Sequence, residues 1–178
     1  GLVAGAEPAR NVIILFGDGM GWEHLKTARY YLGTPLAVDA FPATGNVETV
    51  SVGSAWGDSA SGATSVFTGH NVYGGVISVA LPPDPGFAEG QEYETFLEYM
   101  RARGRASGVI TTKHLNDATP AAFAGHDASR FSNVPLLEDI FQRSGLDLIW
   151  GGRATSYAMT PAWATSNGYA VVTNRTQW

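Results

Sequence analysis

The stretch ASGVITTKHLNDATPAAFAGHDASR, residues 106–130, decides the fold class of this chain. Its opening part, ASGVITT, is predicted to be a strand, and it leads through a short polar loop to DATPAAFA. Pro120 suits the first turn of a helix that starts after Thr119. A strand followed by a helix is the repeating unit of α/β proteins.

The alternation of strands and helices continues on both sides of this stretch. Strands are predicted at NVIILF (11–16), GNVETVSV (45–52), GGVISVA (74–80) and LDLIWGG (146–152). Helices are predicted at GWEHLKTARYYLG (21–33), SASGATSVFT (59–68), YETFLEYMRARG (93–104) and VPLLEDIFQRSG (134–145), and LPPDPGFAEG (81–90) is predicted to be a loop. NVIILF is continuously apolar, which is typical of a strand buried on both faces. The pattern predicts an α/β three-layer sandwich with a mostly parallel central sheet.

Length, charge and composition narrow the function classes. The chain has 178 residues, a formal net charge of −5 and no cysteine. An acidic chain is a poor candidate for non-specific nucleic-acid binding, and no apolar run approaches the length of a membrane span. Without cysteine, disulfides and zinc–thiolate sites are impossible. The first ten residues, GLVAGAEPAR, contain no Met and resemble what remains after a segment has been removed. A processed export signal and a shortened chain would both leave such a start.

Acidic and hydroxyl side chains follow the first two predicted strands, where α/β proteins place their active sites. Asp18 lies between two glycines after NVIILF, so it is a candidate cation ligand or a turn residue that caps the next helix. Asp58 and Ser59 precede the helix of small residues. Ser59 is either a helix N-cap or a nucleophile at a helix start.

A third group of polar residues follows ASGVITT. Asp117 and Thr119 are two positions apart, and Arg130 comes eleven residues after Thr119. Taken singly, these are ordinary loop, cap and surface residues. Together with Asp18, Asp58 and Ser59, they offer carboxylates, a hydroxyl and a guanidinium at one edge of the sheet. This combination suits metal-assisted phosphoryl or sulfuryl transfer.

Four stretches, in order, resemble the N-terminal part of alkaline phosphatases. They are NVIILFGDGMG (11–21), DSASGAT (58–64) with the TG that follows at 68–69, DATPAAFAGH (117–126) and SR (129–130). LDLIWGG and NGYAVVTNR (167–175) also resemble later strand segments of the family. The resemblance implies an alkaline-phosphatase-like fold that is incomplete in this chain. Residues 1–178 would be the N-terminal portion of one catalytic domain whose C-terminal portion is absent from the sequence.

The resemblance also implies a metal site with two zinc ions and one magnesium ion. Asp18 matches the carboxylate that bridges one zinc and the magnesium. Thr119 matches a magnesium ligand that binds through its hydroxyl. Asp117 stands where the family has Asp or His, and Asp in this position implies contact with magnesium through water.

The phosphate-binding residues are implied in the same way. Ser59 matches the zinc-activated nucleophile that becomes phosphoserine. Arg130 matches the arginine that binds two phosphate oxygens, and Asp58 matches the acid that orients this arginine. The implied reaction releases inorganic phosphate and an alcohol from a phosphate monoester, in a periplasmic or secreted enzyme that is commonly a homodimer.

The chain lacks the remaining zinc and magnesium ligands of the family. Its four histidines, His24, His70, His114 and His126, have no spaced acid partners typical of a zinc site. A second fragment, or the C-terminal half of the same polypeptide, is expected to supply those ligands, and the 178 residues alone are expected to be inactive. Two alternatives stay open: a phosphodiesterase or sulfatase of the same superfamily, and a non-catalytic chain that retains the fold.

Overall fold

A computed structural model describes residues 9–81, 84–152 and 160–177 of the chain. The chain divides into two compact units, Gly1–Gly45 and Asn46–Trp178. Part of the predicted loop at 81–90 and most of the first ten residues lie outside the described residues. The two units are described in turn.

The first unit is built around helix α1, Trp22–Leu32. The helix ends at Gly33, which has a φ of 66° and donates its amide to the carbonyl oxygen of Arg29 over 2.9 Å. Glycine is favoured there because this left-handed conformation is costly for other residues. A 3₁₀ turn follows at Ala37–Ala40, and Arg29 forms an ion pair with Asp39. The helix predicted at 21–33 is confirmed.

The apolar run NVIILF does not form the predicted buried strand. Within the described residues, the structure assigns no strand to 11–16, and the side chains of Val12 to Phe16 are 41–85% exposed. A helix satisfies its own backbone groups, but a strand needs a neighbouring strand to do so. An apolar run therefore indicates a preference for burial, but it does not show that a neighbouring strand is available to pair with it.

The second unit contains the remaining helices and a parallel two-stranded sheet. Its elements are α2 (Ser59–Thr68), α3 (Phe96–Arg101), β1 (Gly108–His114), α4 (Ala118–Ala124), α5 (Asn133–Glu138), β2 (Leu148–Gly152) and α6 (Pro161–Ser166). A π-helical turn, Asp139–Arg143, continues α5, and a 3₁₀ turn lies at Arg175–Gln177. Strands β1 and β2 pair in parallel, with Gly108 opposite Leu148. The predicted α/β class with a parallel sheet is confirmed, and the described residues form part of that fold.

Three other strand predictions are wrong for the described residues. In 45–52 and 74–80 the backbone forms only isolated bridges, such as Ser51 with Ser54 and Ile77 with Asp127, instead of ladders. The segment 167–175 is irregular up to its 3₁₀ turn. Some backbone groups of residues 74–80 form hydrogen bonds with helix side chains instead of with a strand. The carbonyl oxygen of Val76, for example, accepts from the Thr64 hydroxyl over 3.2 Å. Short β-rich runs thus form strands only where a partner strand is available.

The contact between α2 and α4 is formed by small side chains. Ala60, Ala63, Ala121 and Ala122 are completely buried, so the two helices approach closely. Ser78 links them from the adjacent loop. Its amide donates to the Thr64 hydroxyl over 3.0 Å, and its own hydroxyl donates to the carbonyl oxygen of Ala122 over 3.0 Å.

Candidate active site

Arg130 lies between the N-terminal ends of α2 and α4. Its Nη1 donates to Oδ2 of Asp58 over 3.0 Å, and its Nη2 donates to Oδ1 of Asp117 over 3.2 Å. Asp58 is the N-cap of α2, and Asp117 is the N-cap of α4. The three side chains are 23–32% exposed. Two helix starts, each with a positive end of the helix dipole, therefore meet at one partly accessible guanidinium.

Asp58 is held by four donors. Its Oδ1 accepts from the amide of Ser61 over 3.0 Å and from the Ser61 hydroxyl over 2.9 Å. Its Oδ2 accepts from the amide of Gly75 over 3.1 Å and from Arg130. Burial raises the pKa of Asp58, but the hydrogen bonds from Ser61, Gly75 and Arg130 outweigh it, so the pKa is lowered overall. The carboxylate is thus charged and fixed in orientation.

Ser59 is the first residue of α2 and is half-buried. Asp58 caps the helix, so the interpretation of Ser59 as the N-cap is wrong. A hydroxyl at the first position of a helix lies where backbone N–H groups and the helix dipole favour a bound anion. Ser59 directly follows the carboxylate that binds Arg130, which places the candidate nucleophile and the guanidinium in the same corner of the unit.

Asp117 has a similar capping role on α4. Its Oδ1 accepts from the amide of Ala118 over 2.8 Å, and the ammonium of Lys113 lies 3.5 Å from its Oδ2. Burial raises the pKa of Asp117. The hydrogen bond from the Ala118 amide and the charges of Lys113 and Arg130 outweigh burial, so the pKa is lowered overall. Thr119, the second residue of α4, is half-buried.

Lys113 was not among the residues singled out from the sequence. It lies at the end of β1, and its side chain is 68% exposed. Its position four residues before Asp117, at the carboxyl end of a predicted strand, is the signal that could have indicated it. The ammonium adds a second cation beside Asp117.

The loop that carries Arg130 is held by backbone hydrogen bonds to residues 75–77. The amide of Arg130 donates to the carbonyl oxygen of Gly75 over 2.7 Å. Asp127 and Ile77 exchange two backbone hydrogen bonds of 2.9 Å. The Asp127 carboxylate also accepts from the amide of Ser129 over 2.8 Å and from the Ser132 hydroxyl over 2.6 Å. These contacts hold the backbone of Arg130 in place before any ligand binds.

Asp18 belongs to the first unit, where it is exposed in a tight turn. The amide of Met20 donates to the carbonyl oxygen of Gly17 over 3.0 Å, and Gly19 has a φ of 68°. The structure therefore places Asp18 in the glycine turn expected from the sequence. Asp58, Asp117 and Arg130 belong to the other unit.

The donors available in this chain fit magnesium better than zinc. In the second unit, Asp117 and the hydroxyl of Thr119 are oxygen donors of the kind that magnesium prefers, and Asp18 is a separate oxygen donor in the first unit. No cluster of three His, Asp or Glu side chains that could hold a metal occurs among the described residues. Because a zinc site takes about four ligands, the part of the chain that the structure describes does not fill one by itself.

Comparison with known proteins identifies the family. The family model for alkaline phosphatase matches residues 9–148. The chain belongs to the alkaline phosphatase family.

Two curated relatives show the extent of the similarity. The Escherichia coli K12 enzyme is 36% identical over 134 residues, which cover 70% of this chain and 27% of the relative. Streptomycin-6-phosphate phosphatase of Streptomyces griseus is 32% identical over 210 residues, which cover 98% of this chain and 45% of the relative. The chain thus spans between about a quarter and a half of the length of these curated relatives.

Solved alkaline phosphatases share the fold of this chain. The cold-active enzyme from a Shewanella species superposes with a TM-score of 0.68 at 27% identity, over 90% of this chain and 41% of that one. A variant of the TAB5 alkaline phosphatase with bound magnesium gives a TM-score of 0.69 at 25% identity, over 85% of this chain and 43% of that one. None of the described helices is long and apolar enough to cross a membrane.

Proposed function

We propose that the complete protein is a metal-dependent phosphate monoester hydrolase, in which this chain supplies the nucleophile Ser59 and the phosphate-binding Arg130. The observation that carries the proposal is the position of Arg130. Its guanidinium bridges the N-caps of the two helices whose first turns carry Ser59 and Thr119. An arginine held by two carboxylates keeps its donor fork directed and partly accessible, as binding of a phosphate group requires.

In the proposed reaction, the Ser59 oxygen attacks phosphorus, and the bond from phosphorus to the alcohol oxygen breaks. The alcohol leaves with a proton, and the phosphoryl group stays on Ser59 as a phosphoserine. Water then attacks the phosphoserine, inorganic phosphate leaves, and the Ser59 hydroxyl is restored. Arg130 and the first amides of α2 stabilise the charge on the phosphoryl oxygens in both steps.

The metals proposed for the complete site are two zinc ions and one magnesium ion. When bound, they lower the pKa of a nucleophilic hydroxyl and shield the phosphoryl charge. Asp18 would ligate zinc and magnesium, Thr119 would ligate magnesium directly, and Asp117 would contact magnesium through water. The magnesium in the TAB5 alkaline phosphatase structure supports metal use in this family. Because the described residues hold no cluster of three His, Asp or Glu side chains, we expect further ligands for zinc from other parts of the complete protein.

Partners and location follow from the same proposal. The remaining ligands would come from a second fragment or from the rest of the polypeptide, and a homodimer would fit the family. Export to the periplasm or out of the cell would place the enzyme with extracellular phosphate monoesters. We expect the 178 residues alone to show no metal-dependent hydrolysis of an aryl phosphate, since the zinc ligands are incomplete.

The deciding experiment compares Ser59→Ala with Ser65→Ala in the complete protein supplied with zinc and magnesium. Both serines lie on α2, but the Ser65 hydroxyl donates to the Ser61 carbonyl oxygen within the helix. Hydrolysis of an aryl phosphate monoester should fall about 1,000-fold or more in Ser59→Ala, because the covalent step is lost. Ser65→Ala should stay near wild type.

Three results would contradict the proposal. Turnover of Ser59→Ala at the wild-type rate would remove Ser59 as the nucleophile. Faster hydrolysis of a phosphate diester or a sulfate ester than of the monoester would favour a phosphodiesterase or sulfatase instead. No turnover of any of these esters by the complete, metal-loaded protein would favour a non-catalytic chain.

A further inference from the structure

Gly75 contacts both charged partners of the candidate site through its backbone. Its amide donates to Oδ2 of Asp58 over 3.1 Å, and its carbonyl oxygen accepts from the amide of Arg130 over 2.7 Å. The guanidinium of Arg130 donates to the same Oδ2 of Asp58 over 3.0 Å. The three residues therefore form a closed circuit of hydrogen bonds in which one residue contributes only main-chain atoms.

The circuit depends on an unusual backbone conformation. Gly75 has a φ of 85°, in a turn closed by donation from the amide of Val76 to the carbonyl oxygen of Tyr73 over 3.2 Å. Turns of this kind with a positive φ at the third residue favour glycine. A Cβ added at Gly75 would meet no atom within 4 Å. Glycine is thus required by the backbone angle and not by lack of space.

This geometry directs the two polar groups of Gly75 to different elements. With the φ of an ordinary residue, the amide could not keep its direction toward Asp58 while the carbonyl oxygen faces Arg130. The loop of Arg130 has a second anchor, the paired backbone bonds between Ile77 and Asp127. Loss of the Gly75 contacts should therefore shift Arg130 locally without releasing the loop.

We propose that Gly75 is a positioning residue for phosphate binding, which sets the guanidinium of Arg130 against Asp58 through its amide and carbonyl. The proposal rests on the proposed function for the role of Arg130 toward phosphate. The geometric part, that Gly75 determines the contact between Arg130 and Asp58, stands on the hydrogen bonds alone.

The test uses the complete metal-loaded protein with Gly75→Ala and a matched control, Gly168→Ala. Gly168 has a φ of 88°, and a Cβ there also meets no atom within 4 Å. Both substitutions carry a similar backbone strain, so their unfolding midpoints should fall by similar amounts. Only Gly75→Ala should lose kcat/KM, by about 100-fold, because a displaced binding group misaligns the phosphoryl group. Its inhibition by inorganic phosphate should weaken as well.

A double-mutant cycle separates positioning from general destabilisation. In an Arg130→Ala background, Gly75→Ala should have little further effect on kcat/KM, because the group that it positions is already absent. An undiminished loss in that background would overturn the proposal, as would an equal loss in Gly168→Ala. Gly75→Asn should retain more activity than Gly75→Ala, since Asn adopts positive φ at lower cost. Equal losses in these two variants would also count against it.

A crystal structure of Gly75→Ala keeps the two proposals distinguishable. If Ser59→Ala retains full turnover, the proposed function fails, and the geometric claim is decided by the separation of Arg130 Nη1 from Asp58 Oδ2. A separation beyond hydrogen-bond distance supports the role of Gly75. An unchanged contact near 3.0 Å overturns it. If Gly75→Ala does not fold, the same separation is measured in Gly75→Ser, because serine also disfavours a positive φ.

Discussion

Two apolar regions of the chain behave in opposite ways. In the second unit, Ile77 and the alanines of α2 and α4 are completely buried, and the candidate site lies at the N-terminal ends of those helices. In the first unit, Ile13 and Leu15 are 85% and 84% exposed. The apolar composition of both regions predicts that they belong to a hydrophobic core. Burial of an apolar segment therefore depends on partners for its backbone groups. Helices α2 and α4 satisfy their own groups and Ile77 pairs with Asp127, whereas no described strand pairs with residues 11–16.

The largest effect should come from placing the same acidic side chain in both regions. Ile77→Asp buries a carboxylate without a counter-charge and should cost about 4 kcal/mol or more of the free energy of unfolding. Ile13→Asp should change stability by about 0.5 kcal/mol or less in the 178-residue chain, since the side chain is exposed. Urea unfolding followed by circular dichroism measures both.

Ile13→Asp should also reduce aggregation of the 178-residue chain, because exposed apolar β-rich segments promote association. Light scattering at increasing protein concentration measures this. A cost of Ile13→Asp similar to that of Ile77→Asp would show that the run 11–16 is buried in solution.

The close approach of α2 and α4 should make their contact sensitive to added volume. Ala63→Leu inserts three carbon atoms between completely buried alanines and should cost about 2–3 kcal/mol. Val66 lies on the same helix and is 48% exposed, so Val66→Leu should cost little. The midpoints of thermal unfolding report the difference, and equal midpoints would mean that the helices do not pack as described.

The contact between Ser78 and α4 should contribute a smaller amount. Ser78→Ala removes the donor to the buried carbonyl oxygen of Ala122 and should cost about 1–2 kcal/mol. Ser166→Ala is the control, because its hydroxyl donates to the carbonyl oxygen of Trp163 at an exposed position. Guanidinium unfolding of both variants provides the comparison, and an equal cost would contradict a linking role for Ser78.

The smallest effect should be a change in the pH dependence of stability. Burial raises the pKa of Glu98, but the hydrogen bond and charge of His126, together with Thr95, lower it from 4.5 to about 2. A carboxyl whose pKa is lowered by folding contributes stability above its unfolded pKa, and that stability is lost as pH falls from about 4.5 toward 2. Glu98→Gln should flatten the stability profile in that window, whereas Glu138→Gln, at an exposed position, should not.

His126, the partner of Glu98, makes the opposite contribution to the pH dependence of stability, and it does so at higher pH. Burial lowers the pKa of His126, but Glu98 and the Tyr93 carbonyl oxygen outweigh it, so the pKa is raised. The contribution of His126 is complete below its unfolded value of 6.5 and is lost as pH rises through the raised pKa. A profile of Glu98→Gln that keeps this upper loss unchanged would contradict the coupling of the two groups.

The helices were predictable because their signals are local. The helix at 59–68 has an acid before it and a glycine after it, and the structure uses Asp58 and Gly69 as its caps. The strand predictions at 11–16 and 45–52 were wrong because the pairing of strands depends on residues that are distant in the sequence. The contact of Asp58 with Arg130, 72 residues apart, is non-local in the same way. Family resemblance indicated it. Lys113 was marked only by its spacing from Asp117 at the end of a predicted strand, and Gly75 carried no motif that marked it.

The most direct test of the account is to trap the phosphoryl group. The complete, metal-loaded protein is mixed with an aryl phosphate, quenched in acid and digested, and its peptides are measured by mass spectrometry. We expect a phosphoserine at Ser59, absent from Ser59→Ala and present in Ser65→Ala. Rapid turnover with phosphate on a different residue, or with none on the peptide containing Ser59, would contradict it.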